Sequence, residues 1–530
     1  MGDWKRVLQG AIRCQWDKIG MYPHHGIDLP LSALRSQESS GIGEYYDLLP
    51  LIDWCRDRKM DVIMLLPLNE TSPIDPSPYN AISSCALHPI FLSLEHLPFI
   101  PSYPALKDTL GELKSLNQGQ RVQYREVYAK KLAWLKVYFS TVKQALLEDP
   151  SFQRFRETEA SWLETYALFK ILKDKMGQAS WTTWPKPYKA PTRKELESLI
   201  AEHKEEVLFH SSLQFLCFEQ LRCVKNYANL RGLFIQGDIP ILVNLDSADV
   251  WGDPFFFDLT MSAGAPPDYF NSQGQHWGFP LFNWEIMRRA KINFSWWKTR
   301  IHYAEHFYDI FRIDHIVGFF RIWGIPWDKP ATEGRFIPTD ASLWIPQGRE
   351  ILEFIDTVST MLPIGEDLGN VPSEVKECLR SLGICGTKII RWEKDQNGYT
   401  PYAQYPQLSM TSVSTHDADT LRGWWQNCPE EAKLFAQFKG WGYAPSLSPS
   451  QVKEILRDSH HTPSLFHINL LQEYLALFPE LVWPEIADER INVPGTMNDK
   501  NWTYRFRLPV ESIVAHEGLR RAVDEIVGSQ

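Results

Sequence analysis

The sequence predicts an α/β protein, a (β/α)8 or TIM barrel with a helical subdomain inserted into it. Three observations carry that reading. Short β-branched or aliphatic runs recur with helix-length stretches between them, the runs carry polar residues at or near their C-terminal ends, and residues 105–230 switch to charged, helix-period sequence. Nearly continuous apolar strands separated by helices make a parallel sheet covered on both faces. A ring of such strands with polar residues at one end is the pattern of a barrel whose site lies at that end.

The candidate strands, in order, are GIDLPLS (26–32), VIMLLPL (62–68), LFIQGDIPILV (233–243), DIFRIDH (309–315), LPIGED (362–367), TKIIRW (387–392) and TSVSTHD (411–417). Between the second and third, Leu135, Tyr138, Phe139, Val142 and Leu146 fall on one face of a helix. The prolines of WTTWPKPYKAP (181–191) break that pattern, since proline is not accommodated inside helices. The chain therefore divides into a first part of the barrel (1–104), a mainly helical insertion (105–230) and the remainder of the barrel (231–530), with no C-terminal β-sandwich expected.

Length and charge exclude several function classes. The 530 residues carry 55 Lys+Arg against 65 Asp+Glu, a net charge of −10, which disfavours a nucleic-acid binder. With 44% hydrophobic and 23% charged residues the chain is a folded protein, not a disordered one. Aromatic residues reach 13%; flat rings suit sugar faces, but for any single Trp core packing is the stronger reading. The eight cysteines are scattered without metal-ligand spacing, and no stretch approaches 18 uncharged apolar residues, so a cytoplasmic protein without membrane or metal is expected. The pairs His24-His25 and His460-His461 point adjacent side chains apart, which fits solvated loops better than one metal.

Four candidate strand ends carry acids: Asp238, Asp314, Glu366 and Asp417. Each alone is as readily a helix N-cap after its strand as a catalytic group. A barrel, however, gathers strand ends that are distant in sequence around one mouth, and crowded carboxylates leave one of them protonated near neutral pH. An ionised nucleophile beside a protonated acid is what retaining glycoside chemistry requires. Arg312 lies two residues before Asp314, on the same strand face, where its guanidinium favours the ionised carboxylate.

With these residues in view the sequence resembles the amylomaltases or disproportionating enzymes, the 4-α-glucanotransferases of glycoside hydrolase family 77 in the α-amylase clan. The resemblance spans about residues 22–510, weakens in the insertion, and is most specific in GDIPILVNLDSADVW (237–251), GAPPDYFNSQGQHWGFPLFNW (264–284), FRIDHIVGF (311–319), GEDLG (365–369), STHDADT (414–420) and INVPGT (491–496). It implies that Asp314 is the nucleophile, Glu366 the general acid/base and Asp417 the carboxylate that stabilises the transition state. It assigns Tyr79, Asp238, Arg312, His315, Trp392, His416 and Asn492 to sugar binding around the reacting ring. Residues 264–277 resemble the family's lid loop, with Asp268, Tyr269, Gln275 and Trp277 in matching places, and a lid that excludes water selects transfer over hydrolysis.

The implied reaction moves a segment of an α-1,4-glucan to the 4-hydroxyl of glucose or another glucan by retaining double displacement, with malto-oligosaccharides and α-1,4-glucans as partners and no cofactor or metal. Hydrolysis by the same constellation, or glucan binding on a non-catalytic barrel, are the alternatives. The sequence departs from the family pattern at Ala418, which replaces an amide in the loop of Asp417, and near Ile74, where many members place an aromatic residue.

Overall fold

A computed structural model describes residues 12–267, 272–396 and 398–528. Eight parallel strands form its centre: β1 (His24–Leu29), β2 (Val62–Leu65), β3 (Phe234–Pro240), β4 (Ile310–Asp314), β5 (Leu362–Gly365), β6 (Gly386–Ile389), β7 (Ser409–Ser412) and β8 (Phe466–Leu470). Each pairs with the next in sequence, and β8 returns to β1 through His24↔Phe466 to Asp28↔Leu470. The ring closes between β5 and β6 by the bridge Ile364↔Cys385, with Gly365 N donating to Cys385 O at 2.8 Å. The first residue of β6 must be glycine. A Cβ on Gly386 would lie 2.7 Å from the Asp367 carboxylate, whose Oδ1 accepts from Thr387 N.

The sequence reading located seven of these strands and missed β8. In FHINL the apolar Phe466, Ile468 and Leu470 alternate with His467 and Asn469, all of them buried. That is the alternation of a half-polar strand, not the continuous apolar run that marks the others. The strands are also shorter than their candidate runs: β7 stops at Ser412, so Asp417 stands on the following loop. The hydroxyls within β7 are satisfied by neighbours, Ser409 and Thr411 bonding Ser464 at 2.7 and 2.6 Å.

Between β2 and β3 the chain is helical, with α1 (Tyr124–Glu148), α2 (Ala160–Lys175) and α3 (Lys204–Leu230) the longest helices. The face of Leu135, Tyr138, Phe139, Val142 and Leu146 is buried as its spacing requires. Two buried ion pairs join these helices to the barrel loops, Lys131–Glu44 at 2.6 Å and Lys170–Glu70 at 2.9 Å. Losing one partner of such a pair costs about 3–5 kcal/mol, because a charge is left in apolar surroundings. On α3, Gln214 bonds both the N–H and C=O of Leu87, and Gln220 those of Ser93. The long loop after β2 is thereby fixed by side-chain amides that imitate a strand partner.

A second, four-stranded antiparallel sheet lies in the order 275–282, 257–265, 322–326, 335–337. Within the expected lid loop, Gly264, Ala265 and Gln275–Trp277 belong to strands of this sheet.

Of the four paired histidines only His461 is exposed. His24 is buried in β1 and bonds Asp61 at 2.8 Å, while His25 Nδ1 lies 2.8 Å from Nδ1 of the buried His460. Among the described residues no helix is long and apolar enough to cross a membrane.

Candidate active site

Strand register brings the acids together. Asp238 of β3 pairs with Arg312 of β4, and Ile313 pairs with Gly365, so Asp314 and Glu366 follow at one level on adjacent strands. Alternation puts Arg312 and Asp314 on one face of β4. The Arg312 guanidinium uses both arms, Nη1 lying 2.7 Å from Asp238 Oδ2 and Nη2 lying 2.9 Å from Asp314 Oδ1. Burial would disfavour that cation, but the flanking Asp238 and Asp314 hold it firmly protonated. Burial also lifts Asp238 above the usual carboxylate range, opposed by Arg312.

Glu366 is seated by backbone N–H groups. Its Oε2 accepts from His315 N at 2.9 Å and its Oε1 from Leu368 N at 2.8 Å. His315 turns its N–H this way by adopting a left-handed conformation, φ 51°, which costs a non-glycine residue about 1–3 kcal/mol and persists where surroundings enforce it. Burial pushes Glu366 up to about 7; Arg312 opposes that rise and Asp314 adds to it. A carboxyl poised there can give a proton and take one back at neutral pH.

Tyr79, on the loop after β2, links two sides of the mouth. Its hydroxyl donates to Asp238 Oδ2 at 2.6 Å and lies 3.0 Å from His416 Nε2. With the phenol proton on Asp238, the bond to His416 needs a proton on Nε2. His416 in turn lies beside Asp417, Nε2 to Oδ2 3.6 Å, and Asn492 Nδ2 donates to Asp417 Oδ1 at 2.7 Å. One polar chain thus runs Asn492–Asp417–His416–Tyr79–Asp238–Arg312–Asp314, with Glu366 against the peptide that follows Asp314.

The loop of Asp417 is held at its base by Glu473, a fully buried carboxylate that follows β8. It accepts from the Ser414 hydroxyl and, at 2.9 and 3.2 Å, from Leu421 N, gripping both ends of the segment that contains His416 and Asp417. Arg391 donates to Asp419 O at 2.8 Å, and Arg490 to Asp417 O at 3.2 Å. These contacts hold the loop that Ala418 leaves without a side-chain amide.

On the hairpin, Trp277 meets the His315 ring edge-on at 5.0 Å and donates to Gln275 Oε1 at 2.9 Å. Asp268 and Tyr269 lie outside the described residues. Trp392 stands 44% exposed just past the end of β6, outside the hydrogen-bonded chain.

Sequence reasoning missed Glu473, Arg490, Trp502 and Asp28. Trp502 packs 5.6 Å from Tyr79 and 5.8 Å from His416, and no local pattern marks it. Asp28 carried the same strand-end signal as the other acids. Burial and the charge of Asp238 push it up to about 7.

The chain is similar to known proteins over most of its length. The family model described as 4-alpha-glucanotransferase matches residues 29–510. The 4-alpha-glucanotransferase of Chlamydia trachomatis is 43% identical over 528 residues, covering 98% of this chain and 98% of its own. That of Thermus thermophilus is 34% identical over 481 residues, covering 87% and 90%. Among solved structures, an amylomaltase from Streptococcus agalactiae in complex with acarbose shares the fold with a TM-score of 0.80 at 24% identity, covering 95% and 98%.

Proposed function

The chain belongs to the 4-alpha-glucanotransferases of glycoside hydrolase family 77, and from that premise we propose that Asp314 and Glu366 carry out a retaining glucosyl transfer on α-1,4-glucans. Glu366 protonates the glycosidic oxygen as Asp314 attacks the anomeric carbon. The C–O bond to the departing glucan breaks and a glycosyl ester on Asp314 forms. An acceptor 4-hydroxyl then gives its proton to Glu366 and attacks the same carbon, releasing Asp314. Two inversions leave the configuration unchanged.

The observation that carries the reading is the pairing of Ile313 with Gly365, which sets the two acids at one level on neighbouring strands with Glu366 poised near neutrality. The charge of Asp314 acts on Glu366, as the close carboxyl pair of a retaining enzyme, about 5–5.5 Å apart, requires. Asp417, held by Asn492, faces the sugar hydroxyls and strengthens its hold as charge develops on the ring. Trp277 and the hairpin cover the ring and keep water from the ester. The eight unpaired cysteines fit a reducing compartment such as the cytoplasm.

Incubation with maltotriose alone is the test. Transfer yields glucose and chains longer than the donor, whereas hydrolysis yields only shorter ones. Asp314→Asn is expected to abolish both while still binding maltotriose in a calorimetric titration; near wild-type turnover in that variant removes the assignment.

A further inference from the structure

Behind the acids lies a buried cation that the polar chain does not use. Arg300, on helix α4 (Ser295–Ala304), is only 4% exposed, and its Nη1 has no hydrogen-bond acceptor within the protein. Its guanidinium lies against Trp296 and Trp297, at 5.5 and 5.3 Å from their ring centroids. On the other side, Asp238 Oδ1 is likewise buried without a protein donor, although Oδ2 of the same carboxylate takes both Tyr79 and Arg312. Both residues line one small cavity of about 20 Å³, with Ser84, Cys85 and Tyr303. That volume holds about one water molecule, and the lining supplies the polar partners a buried water needs.

A buried guanidinium N–H without an acceptor is costly, and so is a carboxylate oxygen without a donor. Arg312 is one cation shared by two carboxylates, Asp238 and Asp314. We propose that Arg300 is a positioning residue of the transfer reaction, supplying through a bridging water the second positive charge that holds Asp238 and, through Asp238 and Arg312, the nucleophile Asp314. This rests on the reading of Asp314 as nucleophile, which the Asp314→Asn variant tests separately.

The groups that face Arg300 are Asp249, Cys85 and Asp238; those that face Asp238 are Arg312, Asp314, Tyr79, His416, Asp28 and Tyr308. Asp249 is the competing partner, but its Oδ1 already takes Trp296 Nε1 at 3.0 Å and the Ser84 hydroxyl, and its Oδ2 takes Ser84 N at 2.8 Å.

The test is the pH dependence of kcat/KM on maltotriose. Its acid limb reports the group that must lose a proton in the free enzyme. Removing a nearby cation in Arg300→Met is expected to move that limb up by about half a unit to one unit and to lower kcat about tenfold. Arg300→Lys keeps the charge and is expected to keep the limb. An unmoved limb in Arg300→Met overturns the proposal. So does a double variant, Arg300→Met with Asp249→Asn, that restores the wild-type limb, because Arg300 would then serve only Asp249. A crystal structure of the unmodified protein with ordered solvent must show water between Arg300 Nη1 and Asp238 Oδ1. A dry gap there overturns the proposal even if the methionine variant fails to fold.

Discussion

Two buried polar clusters stand on opposite sides of the barrel wall, and burial drives them in opposite directions. Inside the mouth, Asp238, Arg312, Asp314 and Glu366 share charge, and Glu366 comes to rest at about 7. On the outer face of β1 and β8, His25, His460 and His467 pack against one another, with His25 and His467 stacked at 4.9 Å. There burial pushes His25 down to about 4 and His467 down to about 3. Desolvation acts on both clusters; the difference is that a cation shared by two carboxylates stands in one, whereas in the other imidazoles crowd together and Asp61 offsets their burial only in part. A site that must move protons is built with counter-charges, whereas neutral imidazoles can pack like any core side chain.

The sharpest way to break this contrast is to remove the titrating acid. In the unmodified protein, kcat/KM is expected to fall as pH rises through about 7, because Glu366 must hold its proton to release the leaving glucan. Glu366→Gln is expected to lower turnover by about 10² to 10⁴. Near wild-type turnover in that variant, or an unmodified enzyme with no fall above neutrality, contradicts the role.

A smaller effect is expected one layer out. Glu473→Ala removes the oxygen that Ser414 and Leu421 share, so the loop of Asp417 loosens. Because Asp417 is assigned to the developing charge, kcat is expected to drop about tenfold to a hundredfold, with the KM for maltotriose nearly unchanged. A rise in KM at constant kcat would assign Glu473 to ground-state binding instead.

How far the sequence foretold these clusters follows from which signals are local. Asp238, Arg312, Asp314 and Glu366 were legible because each lies at the end of an apolar run, and barrel closure does the rest. Asp417 was found by its motif although β7 ends earlier than expected. Glu473 was invisible because the strand before it was missed, and β8 was missed because His467 and Asn469 interrupt its apolar pattern. Those two residues are polar because a helix (Pro449–His460) covers them and supplies partners: Asn469 bonds Ser459 at 2.9 Å. Arg300 and Trp502 owe their places to packing between segments far apart in sequence, and no window of sequence reports that.

The outer cluster gives the smallest effect on activity and a distinct one on stability. In an unfolded chain His25 takes its proton near pH 6.5, but in the folded protein only near 4. Above 6.5 both states are neutral and the residue adds no pH dependence. As pH falls below 6.5 the unfolded state binds a proton that the folded state refuses, so stability is lost progressively down to about 4. Between pH 7 and 5 this loss amounts to about 2 kcal/mol for a single such histidine. Buried carboxyls pushed up to about 8, such as Asp47 and Asp356, have the opposite sign, but they are the same in a variant and cancel in the comparison. His25→Gln is therefore expected to lose less stability than the unmodified protein when urea unfolding is compared at pH 7 and 5, while transfer activity at pH 7 stays unchanged. Equal losses in the two proteins would show that His25 is protonated in the fold, and the contrast between the clusters would then be one of position, not of charge.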